Sequence, residues 1–232
     1  VRSRAQVLEG WGLGRKLASS LGVTVLFAGP PGTGKTMAAQ IIAGELGLSL
    51  YRIDLSSVVS KYIGETEKNL AEVFSQAEAS NAILFFDEAD ALFGKRSEVR
   101  DSHDRYANVE ISYLLQRMEA YDGVTILATN LRANLDEAFT RRLQYAVDFP
   151  FPEEADRLRI WRTLFPPEVP AAPELDFDLL AKRFKLAGGN IRNIILNAAY
   201  LAAAEDQPLE MRHLLHSTRR ELQKMGRLLG ET

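Results

Sequence analysis

The sequence contains no cysteine, which excludes disulfide bonds, thiolate zinc sites and a cysteine nucleophile. The lack of cysteine fits a reducing compartment, and we expect a cytoplasmic protein. No apolar run approaches the length of a bilayer span, so we expect no membrane partner. Basic and acidic residues are present in nearly equal numbers, 28 and 31, which gives a formal net charge of -3. This balance gives no global electrostatic reason to expect nucleic acid as the main partner.

Strand-like and helix-like segments alternate in the first two thirds of the chain. Short runs rich in β-branched and aromatic residues predict five strands, at Val23–Ala28, Leu50–Asp54, Ala82–Phe86, Val124–Ala128 and Tyr145–Phe149. Stretches with helical spacing lie between them, at Lys35–Leu46, Glu65–Glu78 and Ala107–Ala120. The alternation predicts an α/β fold with a mostly parallel five-stranded sheet between helices.

The composition of the sequence changes after Phe149. Prolines become frequent there, and no further segment has the pattern of a strand. Helical spacing continues, at Glu153–Leu164, Asp176–Arg183, Asn190–Ala204 and Leu209–Lys224. We therefore predict two domains, a large α/β domain at 1–150 and a small all-α domain at 151–232.

Residues 29–36 match the pattern G-x-x-x-x-G-K-[ST] of a phosphate-binding loop. They follow the first predicted strand directly and open a helix, which is the context that such a loop requires. Inward-pointing backbone N–H groups and the helix N-terminus would bind phosphates, Lys35 would reach the terminal phosphates, and Thr36 would bind magnesium. The alternative is a glycine-rich turn that ends in Lys-Thr by chance. The predicted nucleotide-binding residues are Gly29, Pro30, Pro31, Gly32, Thr33, Gly34, Lys35, Thr36 and the adjoining Met37.

Two carboxylates, Asp87 and Glu88, end the apolar run at 83–86. The carboxyl edge of an α/β sheet is where ligands collect. Asp87 would hold Mg²⁺ through its water shell, and Glu88 would polarise the water that attacks the γ-phosphate of ATP. A pair of solvated carboxylates is the alternative. The two motifs together predict a P-loop NTPase core that uses ATP and Mg²⁺.

With these motifs, Ala128-Thr129-Asn130 and the pair Arg141-Arg142 make the chain similar to AAA ATPases. The resemblance implies that Asn130 orients the attacking water. It also implies that Arg141 and Arg142 act as catalytic arginines on a neighbouring subunit's ATP. A surface salt-bridge cluster is the alternative for the two arginines.

Two further segments resemble functional parts of this family. Gly189 and Arg192 open a lid helix and resemble the second-sensor segment, where they would contact nucleotide; a solvated arginine is the alternative. Tyr62 and Ile63 resemble the loop that grips polypeptide in the pore of protein-translocating rings, and local packing of Tyr62 is the alternative. Segment 143–150 and the Arg192 helix also resemble bacterial AAA ATPases encoded with phage-tail-like contractile injection systems.

These features together predict an ATPase that remodels, unfolds or disassembles proteins as a homo-oligomeric ring, expected to be a hexamer. Its partners would be further copies of the chain and a protein substrate or adaptor. A nucleic-acid motor or loader would share the ATP chemistry but would need a basic, stacking surface. A nucleotide-gated scaffold with little turnover is the third hypothesis, which the presence of Glu88 disfavours.

Overall fold

The structure is a computed structural model that describes residues 10–11, 22–58, 65–89, 112–130 and 142–227. Contacts divide the chain into two compact units. The first comprises 1–30 and 35–149, and the second comprises 31–34 and 150–232. Within the described ranges, no helix is long and apolar enough to cross a membrane.

The first unit is built on a five-stranded sheet with the order β2-β3-β4-β1-β5. Every pairing in it is parallel, so the predicted α/β fold is confirmed. The first two strands have the predicted bounds, the third is shifted by one residue toward the C-terminus, and the last two differ by one residue at the C-terminal end. The strands are β1 Val23–Ala28, β2 Leu50–Asp54, β3 Ile83–Asp87, β4 Val124–Thr129 and β5 Tyr145–Asp148.

Helices cover both faces of this sheet. They are α1 (Lys35–Leu46), α2 (Leu55–Val58), α3 (Glu65–Ser80) and α4, of which the structure describes 112–120. Alternate residues of β3 show the two layers: Phe85 shares a buried cluster with Ala39 and Ala43 of α1. Phe86 shares another with Phe74 of α3 and with α4. Burial of both faces explains why residues 83–86 of β3 form a continuous apolar run rather than an alternating one, and every residue of β4 is buried as well.

Buried Tyr121 forms hydrogen bonds at the junction of α3 and β3. Its side chain is 2% exposed, and its hydroxyl donates a hydrogen bond to the carbonyl of Ala82, with the carbonyl of Ala77 at 3.3 Å. Burial, followed by the nearby charge of Glu78, raises the pKa of Tyr121. The phenol therefore stays neutral and satisfies backbone groups between α3 and β3.

The described residues of the second unit form four helices around a core that includes Trp161. The predicted starts at Glu153 and Asp176 are N-cap positions, and the Asp176 carboxylate accepts from the Leu179 N–H at 2.8 Å. The third helix starts two residues earlier than predicted and the fourth two residues later. The helices are α5 Glu154–Leu164, α6 Phe177–Arg183, α7 Gly188–Ala204 and α8 Met211–Lys224.

A histidine caps α8. Nδ1 of His213 accepts the Glu210 N–H at 2.9 Å, and Nε2 lies 3.1 Å from the Glu205 carboxylate. The side chain of His213 is 3% exposed, so this residue belongs to the core rather than to a solvated helix face. The hydrogen bond from His213, followed by that from Arg212, lowers the pKa of Glu205.

Candidate active site

The loop between β1 and α1 has a backbone that only glycine adopts easily. Gly29, Gly32 and Gly34 have φ of 153°, 77° and 102°. A Cβ on Gly29 would lie 2.1 Å from the carbonyl oxygen of Phe149, which is far inside contact distance. The close approach of the segment after β5 therefore requires glycine at the first position of the loop.

Lys35 lies at the start of α1 with only 8% of its surface exposed. Its Nζ donates to the carbonyl oxygens of Gly29 at 2.6 Å and Pro30 at 3.0 Å, and to Oδ1 of Asn130 at 2.9 Å. Asn130 directly follows β4, so these bonds join the carboxyl ends of two neighbouring strands. The structure thus brings together Lys35 and Asn130, which are 95 residues apart in the chain.

The other predicted loop residues differ in exposure. Pro30, Pro31 and Gly32 are exposed, whereas Thr33 and Thr36 are half-buried. The side chain of Met37, in the first turn of α1, is 56% exposed.

Asp87 ends β3, and its side chain is 17% exposed. It lies two residues after Phe85 and therefore on the same side of the strand, so it projects from the sheet face that α1 covers. Its Oδ1 accepts the N–H of Glu88 at 3.1 Å. Asp87 therefore lies on the same face as the helix that carries Thr36.

Glu88 has a left-handed backbone conformation with φ of 55°, and its side chain is exposed. Such a conformation costs a non-glycine residue of order 1 kcal/mol or more and tends to occur at functional sites. The chain is held on both sides of Glu88, by the bond to Asp87 and by the Ala89 N–H, which donates to the Ala128 carbonyl at 2.9 Å. Sequence reasoning placed the carboxylate correctly after the strand but gave no signal for this conformation.

Arg52 contacts the same site, although sequence reasoning did not include it. Its Nη2 lies 2.7 Å from Oδ2 of Asp87. In the parallel ladder Arg52 is opposite Phe85, which places it on the diagonal to Asp87, within reach of a long side chain. The sequence did carry one signal for Arg52. It is a basic residue two positions before the end of β2, and β2 pairs with β3, the strand that ends in Asp87.

The donors on this edge of the sheet fit ATP with magnesium. The hydroxyl of Thr36 and the carboxylate of Asp87 are hard oxygen ligands of the kind that Mg²⁺ prefers. A glycine-rich backbone with positive φ that opens a helix is suited to phosphate. Lys35, Thr36 and Asp87 could therefore hold the metal and the nucleotide phosphates.

One of the two predicted catalytic arginines can be placed. Nε of Arg142 lies 3.5 Å from Glu119, both side chains being nearly half exposed, and its carbonyl accepts a hydrogen bond from Thr24 at 3.3 Å. Arg141 lies outside the described residues. So do Tyr62 and Ile63, the predicted pore-loop residues.

Gly189 and Arg192 both lie on α7 in the second unit. The Gly189 N–H donates to the Gly32 carbonyl at 2.9 Å, within the same unit. A Cβ on Gly189 would lie 3.2 Å from the Gly32 Cα, so a side chain there would disturb this contact. Arg192 is exposed on the next part of the helix.

Comparison with known proteins shows which family this sequence matches. A sequence profile of the ATPase family associated with various cellular activities (AAA) matches residues 25–151, which include both motifs. The chain is 36% identical over 191 residues to the 26S proteasome subunit RPT4 of Saccharomyces cerevisiae, covering 79% of this chain and 44% of the relative.

Two further relatives have a similar sequence identity and are also matched over only part of their length. The ATP-dependent zinc metalloprotease FtsH 3 of Sphaerobacter thermophilus is 36% identical over 196 residues, covering 81% of this chain and 40% of the relative. The katanin p60 ATPase-containing subunit A1 of Strongylocentrotus purpuratus is 32% identical over 207 residues, with 82% and 40% covered. The chain thus spans about two fifths of the length of the curated relatives that it matches.

Proposed function

The chain belongs to the AAA family of ATPases, and we propose that it hydrolyses ATP with magnesium to drive the remodelling of protein substrates in a ring of identical subunits. Residues 1–150 would be the nucleotide-binding domain and 151–232 the helical lid. The observation that carries the proposal is the convergence of Lys35, Asn130 and Asp87 at the carboxyl ends of the adjacent strands β1, β4 and β3. This edge is where open α/β sheets bind their ligands.

Each residue at this edge has a chemical role in the proposal. Lys35 would exchange the carbonyls of Gly29 and Pro30 for phosphate oxygens, which offer its ammonium a full negative charge. Asn130, now bonded to Lys35, would then be free to position the attacking water. Glu88 would accept a hydrogen bond from that water and withdraw its proton.

The metal is expected to supply positive charge to the phosphates. Thr36 and Asp87 would hold it, the first by its hydroxyl and the second through the metal's water shell. The backbone N–H groups of Gly32, Thr33 and Gly34 would cradle the phosphates, and Met37, Gly189 and Arg192 would contact the nucleotide. These roles follow from the positions of the residues in the motifs of the family.

Arg141 and Arg142 would make hydrolysis depend on assembly. They would stabilise the charge that develops on a neighbouring subunit's ATP. Hydrolysis would then depend on ring formation, with a hexamer as the expected state. Tyr62 and Ile63 would grip an extended polypeptide in the central pore.

A protein substrate is favoured over nucleic acid for two reasons. Two of the relatives carry names that refer to the proteasome and to a metalloprotease, and the net charge of -3 offers no general attraction for nucleic acid. The sequence has no H-E-x-x-H motif, so this chain would not cleave its substrate by zinc chemistry. We further propose an origin with phage-tail-like contractile injection systems and a cytoplasmic location, on the sequence resemblance and composition.

The test is steady-state ATP hydrolysis against protein concentration, with light scattering to follow assembly. Specific activity should rise with concentration for the wild type. Glu88→Gln should bind ATP but hydrolyse it at least 100-fold more slowly, by the order of magnitude that a lost general base costs. The double variant Arg141→Ala/Arg142→Ala should bind ATP and lose the concentration-dependent activity.

Glu119→Gln is the matched control, because it removes the ion pair of Arg142 and leaves the guanidinium in place. It should retain concentration-dependent activity if Arg142 acts on nucleotide. A monomer that hydrolyses ATP at full rate without both arginines would refute the ring mechanism and leave only the nucleotide site.

A further inference from the structure

We propose that Arg52 is a built-in counter-ion of the metal site, which occupies the Asp87 carboxylate when Mg²⁺ is absent and gives it up when Mg²⁺ binds with nucleotide. Arg52 would thereby limit how much the metal tightens nucleotide binding. The inference rests on the proposed function, since it concerns the same ATP site.

The geometry of the pair fits a counter-ion. Nη2 of Arg52 is 2.7 Å from Oδ2 of Asp87, the length of a charge-assisted hydrogen bond. Oδ1 of Asp87 accepts the Glu88 N–H at 3.1 Å. Both oxygens of the carboxylate are thus engaged within the chain.

The fold fixes this pairing through strand register. Along β2, Ile53 belongs to the cluster beneath α3 and α4, whereas Leu50 packs with the cluster beneath α1. Arg52 alternates with Ile53 and so projects on the α1 side, the same side as Asp87. Asp54 is directly opposite Asp87 in the ladder, and two carboxylates at one strand edge favour a cation between them.

The same features make the pair exchangeable. The Arg52 side chain is 62% exposed, against 17% for Asp87, so the guanidinium can move into solvent while the metal takes its place beside the less exposed carboxylate. Ion pairs with this much solvent contact are weak. A divalent cation close to Asp87 competes for its oxygens and repels the guanidinium. Magnesium binding therefore becomes an exchange of one cation for another.

Because the metal must displace Arg52, the ion pair reduces the amount by which Mg²⁺ tightens nucleotide binding. Exposed pairs contribute an interaction that corresponds to about a two- to five-fold change in an equilibrium constant. Removing the guanidinium should increase, by that factor, the ratio of the nucleotide Kd in excess EDTA to the Kd in excess Mg²⁺.

The experiment measures both Kd values by fluorescence anisotropy with a fluorescent, non-hydrolysable ATP analogue. Arg52→Gln should raise the ratio two- to five-fold, and Arg52→Lys, which keeps the charge, should stay near the wild type. Arg162→Gln is the matched control, because Arg162 is also 62% exposed and pairs with Asp178 at 3.0 Å; its ratio should equal that of the wild type. Thermal unfolding of each variant shows that the fold is intact.

A double-mutant cycle locates the effect on Asp87. In an Asp87→Asn background, Arg52→Gln should no longer change the ratio. If the change persists there, Arg52 acts on the phosphates directly and the proposal is wrong. A ratio that is unchanged or lowered in the single variant Arg52→Gln also overturns it. If the wild type binds no nucleotide in either buffer, the proposed function itself fails and this inference falls with it.

Discussion

Replacing Gly29 by alanine should destabilise the first unit, although alanine is the smallest change available. The residue has φ of 153°, and its new Cβ would lie 2.1 Å from the Phe149 carbonyl oxygen and 2.9 Å from the Phe149 carbonyl carbon. These atoms belong to backbone, which cannot rotate away as a flexible side chain could. The segment after β5 must move by roughly 1 Å to reach ordinary contact.

That movement disturbs interactions which the structure shows. The Phe149 N–H donates to the Ala28 carbonyl at 2.7 Å, and its ring packs on Phe27 with centroids 4.9 Å apart. Overpacking of this kind costs about 1–3 kcal/mol, and a backbone region that only glycine adopts easily costs about 1–3 kcal/mol. We expect Gly29→Ala to lower the free energy of unfolding of this unit by about 2–6 kcal/mol.

Gly44→Ala is the same chemical change, but it should raise the free energy of unfolding rather than lower it. Gly44 lies inside α1, and a Cβ there would meet nothing within 4 Å. Alanine should stabilise the helix by about 0.5–1 kcal/mol. Amide hydrogen exchange of β1 and α1 in native buffer measures both variants without requiring the two units to unfold together. Equal stability of the two variants would refute the steric reasoning.

Two further predictions concern buried and paired titrating groups. Tyr121→Phe should lose about 1–2 kcal/mol at neutral pH, because the Ala82 carbonyl loses its donor. The wild type should also lose stability as the pH rises from about 10 through the raised folded pKa of Tyr121, and urea titrations should show this slope flattened in the variant. Glu205→Gln should be less stable than wild type at neutral pH, since the fold lowers the pKa of Glu205. That difference should vanish as the pH falls through the lowered pKa, and a difference that persists in strong acid would contradict it.

The elements of the fold were predictable because they depend on local pattern. Strands β1 and β2 were predicted with the right bounds, and α1 was placed correctly from its helical spacing. Helix starts were less accurate. Asn190 is the third residue of α7 and its side chain accepts the Ala187 N–H at 3.2 Å, so the helix extends back to Gly188. Leu209 forms a bridge with Ala171 and cannot begin α8.

The candidate site was predictable in its residues but not in its connections. Lys35 and Asp87 follow from spacing within motifs and Asn130 from the resemblance to AAA ATPases, and the structure places the three at one sheet edge. The bond of Lys35 to Asn130 and the pair of Arg52 with Asp87 depend on which strands are neighbours and in what register. No local pattern carries that information.

The sequence by itself determined the chemistry that we propose for this protein, since a loop of glycines before Lys35 and two acids after an apolar strand occur at fixed local spacing. Only the tertiary structure decided which charges meet. The parallel ladder sets Arg52 diagonal to Asp87 and brings Phe149 against Gly29. These contacts join residues that are far apart in the chain, and their geometry is fixed by strand order and register, which follow from burial of the whole sheet.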